Sequence, residues 1–422
     1  MTLSCFELGE RMLAAEEARE AVVALASGPL PAERVALASL RGRVLAESLL
    51  APIDVPQNTN AAMDGVALAW RPEALPSSGF RRVAEVLAGH SLERPLAPGE
   101  CAGITTGAPL PPGADTVIMR EQLSVDTESD GEVRVRVELP ERVRRGQNVR
   151  QAGEDIPRGT QALAAGTRLG AGELGLIASL GFGEARVVRR PRVAVFSTGD
   201  EVMAPGEALP SAGIFDANRF ALMALVEEHG GEVIDLGILP DTRDAIADGL
   251  SRAARDADLV LSSGGVSVGD ADHTRAALLE QGELGFWKIA IRPGRPLACG
   301  RLGPRGVPFL GLPGNPVASM VTFLQFAAPL LARLQGRDDT CPPRLTAVAE
   351  QSLRSREGRV DYLRGHYASA SDGRLMVSDI GAQGSGILSS MVRANCLIEI
   401  DAARGSVAAG ESVTIQPLFR LP

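Results

Sequence analysis

Aromatic residues are scarce, at 4% of 422 positions. Stacking platforms for single-stranded nucleic acid need them, so that class of partner is excluded first. Positive charge is in deficit as well: 43 Lys and Arg against 52 Asp and Glu leave a net charge of −9. A phosphate-backbone partner demands the opposite, a basic face. A small anionic ligand remains open, because exposed charges more than ~8 Å apart are screened at physiological salt. Cysteines are few and scattered, at Cys5, Cys101, Cys299, Cys341 and Cys396, with no C-x-x-C spacing. A disulfide framework or a zinc knuckle is therefore not expected, and a reducing cytoplasm fits best. No run reaches the ~18 uninterrupted apolar residues of a membrane span. The N-terminal "MTLSCFELGERMLAAEEARE" is charged and lacks an apolar signal core.

What is present is enough apolar sequence, 45% of residues, for about two to four packed domains. Residues 6–26 place Leu8, Met12, Leu13, Val22, Val23 and Leu25 among charges, the pattern of an amphipathic helix. "LASLRGRVLAESLLA" reads as further helix or a helical turn. From 51 to 141 glycine and proline punctuate short apolar runs, and Val133–Val137 alternates strictly, so a small β domain is predicted. "AGELGLIASLGFG" reads as a short helix with a glycine end.

Residues 191–335 alternate strand and helix, which predicts a mostly parallel, doubly wound sheet with helices on both faces. "RVAVFSTG", "EVIDLGILP" and "DLVLSSGG" are strands. "DANRFALMALVEEHG" is a helix capped by Asp216 and stopped by Gly230, and Asp241 is expected to cap the helix after it. Asn315 caps a long helix that has Pro316 at its first position and Gly336 at its end. After the linker "DDTCPPRL", short strands such as "CLIEI" and "SVTIQPL" predict a small β barrel or sandwich.

Ligands of such open sheets bind beyond the carboxyl ends of the strands. Three loops there stand out. In "SSGGVSVGDADHT", Gly264 and Gly265 let backbone approach an anion, and Ser262, Ser263 and Ser267 add donors. A helix starting near Asp272 would offer free N–H groups. Carboxylates beside a phosphate repel it unless a cation intervenes, so Asp270 and Asp272 suggest Mg²⁺. A tight turn with surface helix caps explains the same residues about equally well. The loop is neither a Walker P-loop nor a dinucleotide fingerprint. "FSTGDEV" adds Asp200 and Glu201. "LPGNP", with Pro313, Gly314 and Asn315, is first a capped helix start and second a ligand contact. In "IRPGRP", Arg292 and Arg295 flank a turn, and guanidinium forks match tetrahedral oxyanions. The four histidines, His90, His229, His273 and His366, form no metal pair and no catalytic triad.

Nine stretches in order, among them "AAMDGVAL", "TTGAPLPPGADTVI", "FSTGDEV", "SSGGVSVGDAD", "FWKIAIRPGRP", "LGLPGNPVAS" and "QGSGILSSMVRANCLI", resemble the molybdopterin molybdenumtransferase family. The vertebrate scaffold protein gephyrin ends in a similar domain. The resemblance spans nearly the whole chain and implies a multidomain α/β plus β protein in four parts. These are an elongated helical part from two separated segments (1–50 and 142–182), an inserted β domain (51–141), an α/β molybdopterin-binding domain (183–338) like the molybdopterin adenylyltransferase, and a C-terminal β barrel (339–422). It implies a cytoplasmic homodimer that takes adenylylated molybdopterin and molybdate with Mg²⁺, inserts molybdenum into the dithiolene and releases AMP. Transient contact with the adenylyltransferase and with molybdoenzymes goes with that role; nucleic acid and membrane do not.

By the same resemblance, Glu201, Asp270 and Asp272 would hold the metal. Asp64, Thr106, Asp241, Lys288 and Arg292 would serve catalysis. Ser262, Gly264, Gly265, Ser267, Arg295, Pro313, Gly314, Asn315, Arg364 and Ser390 would bind the pterin nucleotide or molybdate. Asp64 and Thr106 would come from the other subunit. The chain departs from the family in carrying Arg292 and Arg295 where two lysines are usual, and Ala61 and Val66 where a serine and a tyrosine are usual. A scaffold on the same fold, or the adenylyltransferase itself, are the alternatives. Intact acidic loops argue against the first; Val266 and Ser267 in place of a Thr-Gly, with three extra domains, argue against the second.

Overall fold

The computed structural model describes residues 11–264, 280 and 282–418. The central element is a seven-stranded sheet in the order Met12–Leu13, Gly282–Ile289, Pro296–Leu302, Val307–Leu312, Leu259–Ser263, Arg192–Thr198, Glu232–Leu239. The last four run parallel, in register from Val260–Phe309 through Val193–Leu259 to Val193–Val233. Pro296–Leu302 and Gly282–Ile289 form an antiparallel extension, and Met12–Leu13 joins the outer edge in parallel.

Both faces of this sheet are covered, which explains the near-continuous apolar strands. Val193, Val195, Leu259, Leu261 and Leu310 point to one face, under the helices Ala15–Val23, Ala217–Glu228 and Pro316–Leu334. Ala194, Phe196, Val260 and Phe309 point to the other, against Ile246, Leu250 and Ala253 of Arg243–Asp256. Pro316–Leu334 is long and apolar enough to cross a membrane, yet its apolar window is 78% buried inside the protein. A π-helical turn at Phe323–Ala327 interrupts it. There the Gln325 carbonyl accepts from the buried Arg19 Nε at 3.2 Å.

Three local expectations change. Met12 and Leu13 are strand, and the helix that follows begins only at Ala15, because Leu13 and Ala290 are locked by a backbone hydrogen bond at the sheet edge. Residues 12–26 thereby pair and pack with the central sheet. "LASLRGRVLAESLLA" is not helical beyond the turn Leu37–Ser39; it forms the strands Val44–Leu45 and Leu49–Leu50. Asp241 does not cap its helix. Thr242 does, its hydroxyl accepting from Ala245 N at 3.4 Å. The caps at Asp216 and the positive-φ glycines Gly230 and Gly336 stand where the sequence puts them.

The remaining parts are smaller. Ala32–Ala36 and Val44–Leu45 flank Glu184–Val188 in a three-stranded sheet, packed with the helix Ala171–Ser179 around Leu40, Leu45, Leu169 and Ile177. Residues 65–137 form a six-stranded sheet whose hairpin Leu123–Thr127 to Val133–Val137 carries the alternation noted above. The C-terminal part is a closed barrel of five strands. Val360–Ser369, Leu375–Asp379, Leu345–Ala349, Ser412–Pro417 and Cys396–Ile400 follow in order, and the last pairs back on the first. The short strand Ile291–Arg292 adds to this barrel in parallel, opposite Val360 and Asp361. The barrel is thus tied to the central sheet beside the loop "IRPGRP".

Candidate active site

At the carboxyl ends of the parallel strands, the sheet meets the barrel in a cavity of ≈570 Å³. Its walls come from four loops: Glu201, Gly264, the run Arg292–Pro296, and Pro313–Asn315, closed on the barrel side by Gln383 and Ser385. A second cavity of ≈650 Å³ is larger but mostly apolar, lined by residues such as Leu225, Met320, Leu324 and Leu418. It holds none of the predicted site residues, so the chemistry selects the first.

Gly264 follows the strand Leu259–Ser263 with φ +84°, a left-handed conformation that glycine adopts without strain. A Cβ there would meet the Thr198 carbonyl at 3.1 Å, and one on Gly314 would lie 3.9 Å from the Gly264 Cα. The two glycine loops therefore nearly touch. Asn218 staples them: its Nδ2 donates to Ser263 Oγ and to the Gly314 carbonyl, each at 2.7 Å. Thr198 Oγ1 and Ser262 Oγ are buried at the same strand ends with no partner among the described residues. Unpaired buried hydroxyls are uncommon in folded proteins.

Glu201 is exposed at the cavity wall. Its carboxylate lies over Gly199, where a Cβ would meet Oε2 at 2.7 Å. Gly265, Ser267, Asp270, Asp272 and His273 lie outside the described residues. Among the described residues, the acidic trio close enough to share an ion is Glu128, Asp130 and Glu132. It sits on a hairpin of the β domain, where Arg134 pairs with Glu128 and Glu132.

The predicted cations divide into three kinds. Arg292 lines the cavity, but its Nη2 is ion-paired to Asp361, a carboxylate with 0% exposure. Arg295 is exposed on the opposite side of the turn and lines the same cavity. Arg364 is 1% exposed and, among the described residues, meets only neutral oxygens: Ser390 Oγ at 3.3 Å, the Tyr362 carbonyl at 3.2 Å and the Gly384 carbonyl at 3.5 Å. Burial lowers its pKa from 12.5 to about 10. The backbone of Arg364 is held in turn by Gln383, whose side chain bonds both its N–H and its carbonyl at 2.9 Å. Ser390 is fully buried, and neither it nor Arg364 lines the cavity, although Gln383, which holds the Arg364 backbone, does.

Lys288, the only lysine in the sequence, is exposed on the strand Gly282–Ile289, opposite Pro296, and does not line the cavity. Asp241 lies beyond the end of the edge strand Glu232–Leu239 and is also outside the lining. Asn315 lines the cavity but forms no side-chain cap. Asp64 and Thr106 form a unit of their own in the β domain. Thr106 donates both its backbone N–H and its hydroxyl to Asp64 Oδ1, each at 2.7 Å. These bonds hold the exposed carboxylate below its ordinary pKa. Neither residue lines the cavity.

Sequence reasoning missed Asn218, Asp361, Gln383 and Ser385. The last two sit in "QGSG", a stretch already singled out, and offered a usable signal. Asn218 was visible only as a helix residue, and Asp361 lay in a stretch to which no element was assigned.

Known proteins match this chain along nearly its whole length. Three family models match in series: the MoeA N-terminal region, domains I and II, over residues 13–181; a probable molybdopterin binding domain over 194–333; and the MoeA C-terminal region, domain IV, over 346–418. A protein of Haemophilus influenzae named molybdopterin molybdenumtransferase is 41% identical over 412 residues, covering 97% of this chain and 100% of its own. One of the same name from Nostoc is 34% identical, covering 92% and 88%. The crystal structure of the molybdopterin biosynthesis moeA protein from Pyrococcus horikoshii superposes with a TM-score of 0.80 at 28% identity, over 97% of this chain and 100% of that one. The chain belongs to the MoeA family.

Proposed function

We propose that the protein is a molybdopterin molybdenumtransferase. It takes adenylylated molybdopterin and molybdate, joins molybdenum to the dithiolene sulfurs, and releases AMP as the phosphoanhydride is cleaved. The observation that carries this reading is Arg364. A buried guanidinium with no carboxylate partner among the described residues costs several kcal/mol, and it is worth keeping where an oxyanion supplies the missing charge. Arg295 adds an exposed fork on the other wall, and Ser390 Oγ touches the guanidinium from within. A tetrahedral dianion such as molybdate matches that donor set.

The glycine loops suit the nucleotide end. Gly264 and Gly314 let backbone N–H groups approach a phosphate, and the Ser262 and Thr198 hydroxyls there have no partner among the described residues. Glu201 offers a hard oxygen ligand at the wall, the donor type that Mg²⁺ prefers, and Asp270 and Asp272 would complete the set with Gly265 and Ser267 nearby in sequence. When bound, Mg²⁺ would screen charge on the phosphoanhydride. Lys288 and Asp241 would act at the rim. Arg292 keeps a role in shaping the cavity, with its charge balanced by Asp361.

Asp64 and Thr106 are read as a contribution from a second subunit of a homodimer in the cytoplasm. Their tight pair presents a carboxylate to solvent, away from this chain's own cavity. Ile214 and Phe215, between Glu201 and the helix Ala217–Glu228, and Phe220 on that helix are exposed, the kind of apolar surface a subunit covers. The division into parts follows the sequence reading, with residues 12–26 added to the α/β part.

The test mixes purified protein with adenylylated molybdopterin, Mg²⁺ and molybdate, and follows AMP and molybdenum-loaded pterin together. Both products should depend on molybdate. AMP release indifferent to molybdate would replace this reading with that of a different hydrolase.

A further inference from the structure

Asp361 is a carboxylate with 0% exposure at the start of the barrel strand Val360–Ser369. Its Oδ2 accepts from Arg292 Nη2 and from Ser355 Oγ, the latter at 2.6 Å. Its Oδ1 is buried with no partner among the described residues. A carboxylate kept only to hold the barrel together would be expected to fill its roughly four acceptor sites. This one leaves half its capacity unused and commits its charge to a single cation.

That cation lies across a subdomain seam. Ile291–Arg292 pairs in parallel with Val360–Asp361, so the two charged residues are register partners. Gly294, two residues on, has φ +104°, and a Cβ there would strike Thr322 Oγ1 at 2.4 Å. The turn is thus pinned at both ends, by the ion pair and by close packing. Arg292 uses one guanidinium nitrogen on Asp361, and the side chain lines the cavity.

We infer that Asp361 is a positioning residue for Arg292. It clamps one edge of the guanidinium at a fixed angle, aims the remaining N–H donors into the cavity, and cancels the Arg292 charge. Among the described site residues, Arg295 at the cavity wall and the buried Arg364 are then the cations left to attract an oxyanion. Arg292 acts as an oriented hydrogen-bond donor, and not as a net attractor. This rests on the proposed function, in that the oxyanion is read as molybdate.

The experiment is a double-mutant cycle of Arg292→Gln and Asp361→Asn, read by molybdate binding in calorimetry and by AMP release. Each single variant should lose roughly tenfold or more in turnover, and the double variant should be no worse than the poorer single. A purely structural Asp361 would instead multiply its loss in both backgrounds, and that result overturns the inference. If Asp361→Asn does not fold, Asp361→Glu is compared with Asp361→Glu/Arg292→Lys, where the longer acid meets the shorter base. Rescue of turnover by roughly tenfold over Asp361→Glu supports positioning, and no rescue overturns it. Wild-type protein that neither binds molybdate nor releases AMP would remove the proposed function itself, an outcome distinct from a multiplicative cycle on an active wild type.

Discussion

Replacing Arg364 by methionine should make the protein more stable and unable to respond to its oxyanion. The side chain is 1% exposed, and burial draws its pKa from 12.5 to about 10. That fall corresponds to about 3 kcal/mol of disfavoured charge. Arginine is protonated in folded and unfolded chains alike near neutrality, so the cost is present there in full and is relieved only as pH rises past about 10. Against it stand three long hydrogen bonds to Ser390, Tyr362 and Gly384, worth about 2 kcal/mol together. Arg364→Met removes both and fills a similar volume, for a net gain of about 1 kcal/mol. Urea unfolding with and without molybdate measures it. At a concentration a hundredfold above its dissociation constant, the ligand should add about 2.7 kcal/mol to the wild type and nothing to the variant. A variant destabilised by more than about 2 kcal/mol, with molybdate acting equally on both proteins, would refute the argument that the charge is held for a ligand.

Gly264→Ala places a β-carbon in a left-handed conformation against the Thr198 carbonyl; a loss of about 1–2 kcal/mol and a collapse of AMP release should appear in unfolding and turnover assays. Asn218→Ala frees the Ser263 hydroxyl and the Gly314 carbonyl, and should cost about 1–3 kcal/mol together with weaker binding of the nucleotide end, read by KM. Asp115 is partly buried, which alone would raise its pKa. Bonds from Arg71, Trp70 N, Thr116 and Arg145 outweigh that and hold it well below the carboxylate range. Its contribution is therefore complete above about pH 4 and fades as pH drops through the folded value, so Asp115→Asn and wild type should converge in stability in acid and differ at pH 7. On the proposed homodimer, Asp64→Asn and Arg364→Met subunits, each inactive alone, should regain activity when mixed and re-dimerised, because one intact site forms per heterodimer; mixtures that stay dead would place Asp64 in the site of its own subunit.

The loops were readable because their chemistry is local. Glycine pairs, Pro-Gly turns and capped helix starts announce themselves within a few residues, and Gly264, Pro313, Gly314 and Arg295 all line one cavity. Three of the four parallel strands were legible from their apolar runs, which a sheet covered on both faces requires. What escaped depended on distant partners. Met12 and Leu13 look helical until a strand some 276 residues later claims them, Met12 against Lys288. Asp241 resembles a cap until Thr242 takes that place. Arg292 reads as a free cation because nothing near it in sequence reveals Asp361. Side-chain charge is visible in a sequence, whereas its neutralisation is a tertiary fact.

Lys288 carries the chain's sole ε-amine, an exposed side chain on the strand that leads directly into the arginine turn. An amine-selective dye therefore has one side-chain target and needs no engineered handle. The α-amino group, which titrates near pH 8 against roughly 10 for lysine, can be blocked first at neutral pH. A reporter attached afterwards would sit beside the barrel seam and register any movement of that wall, and a lysine-directed protease would cut the described fold at this same spot.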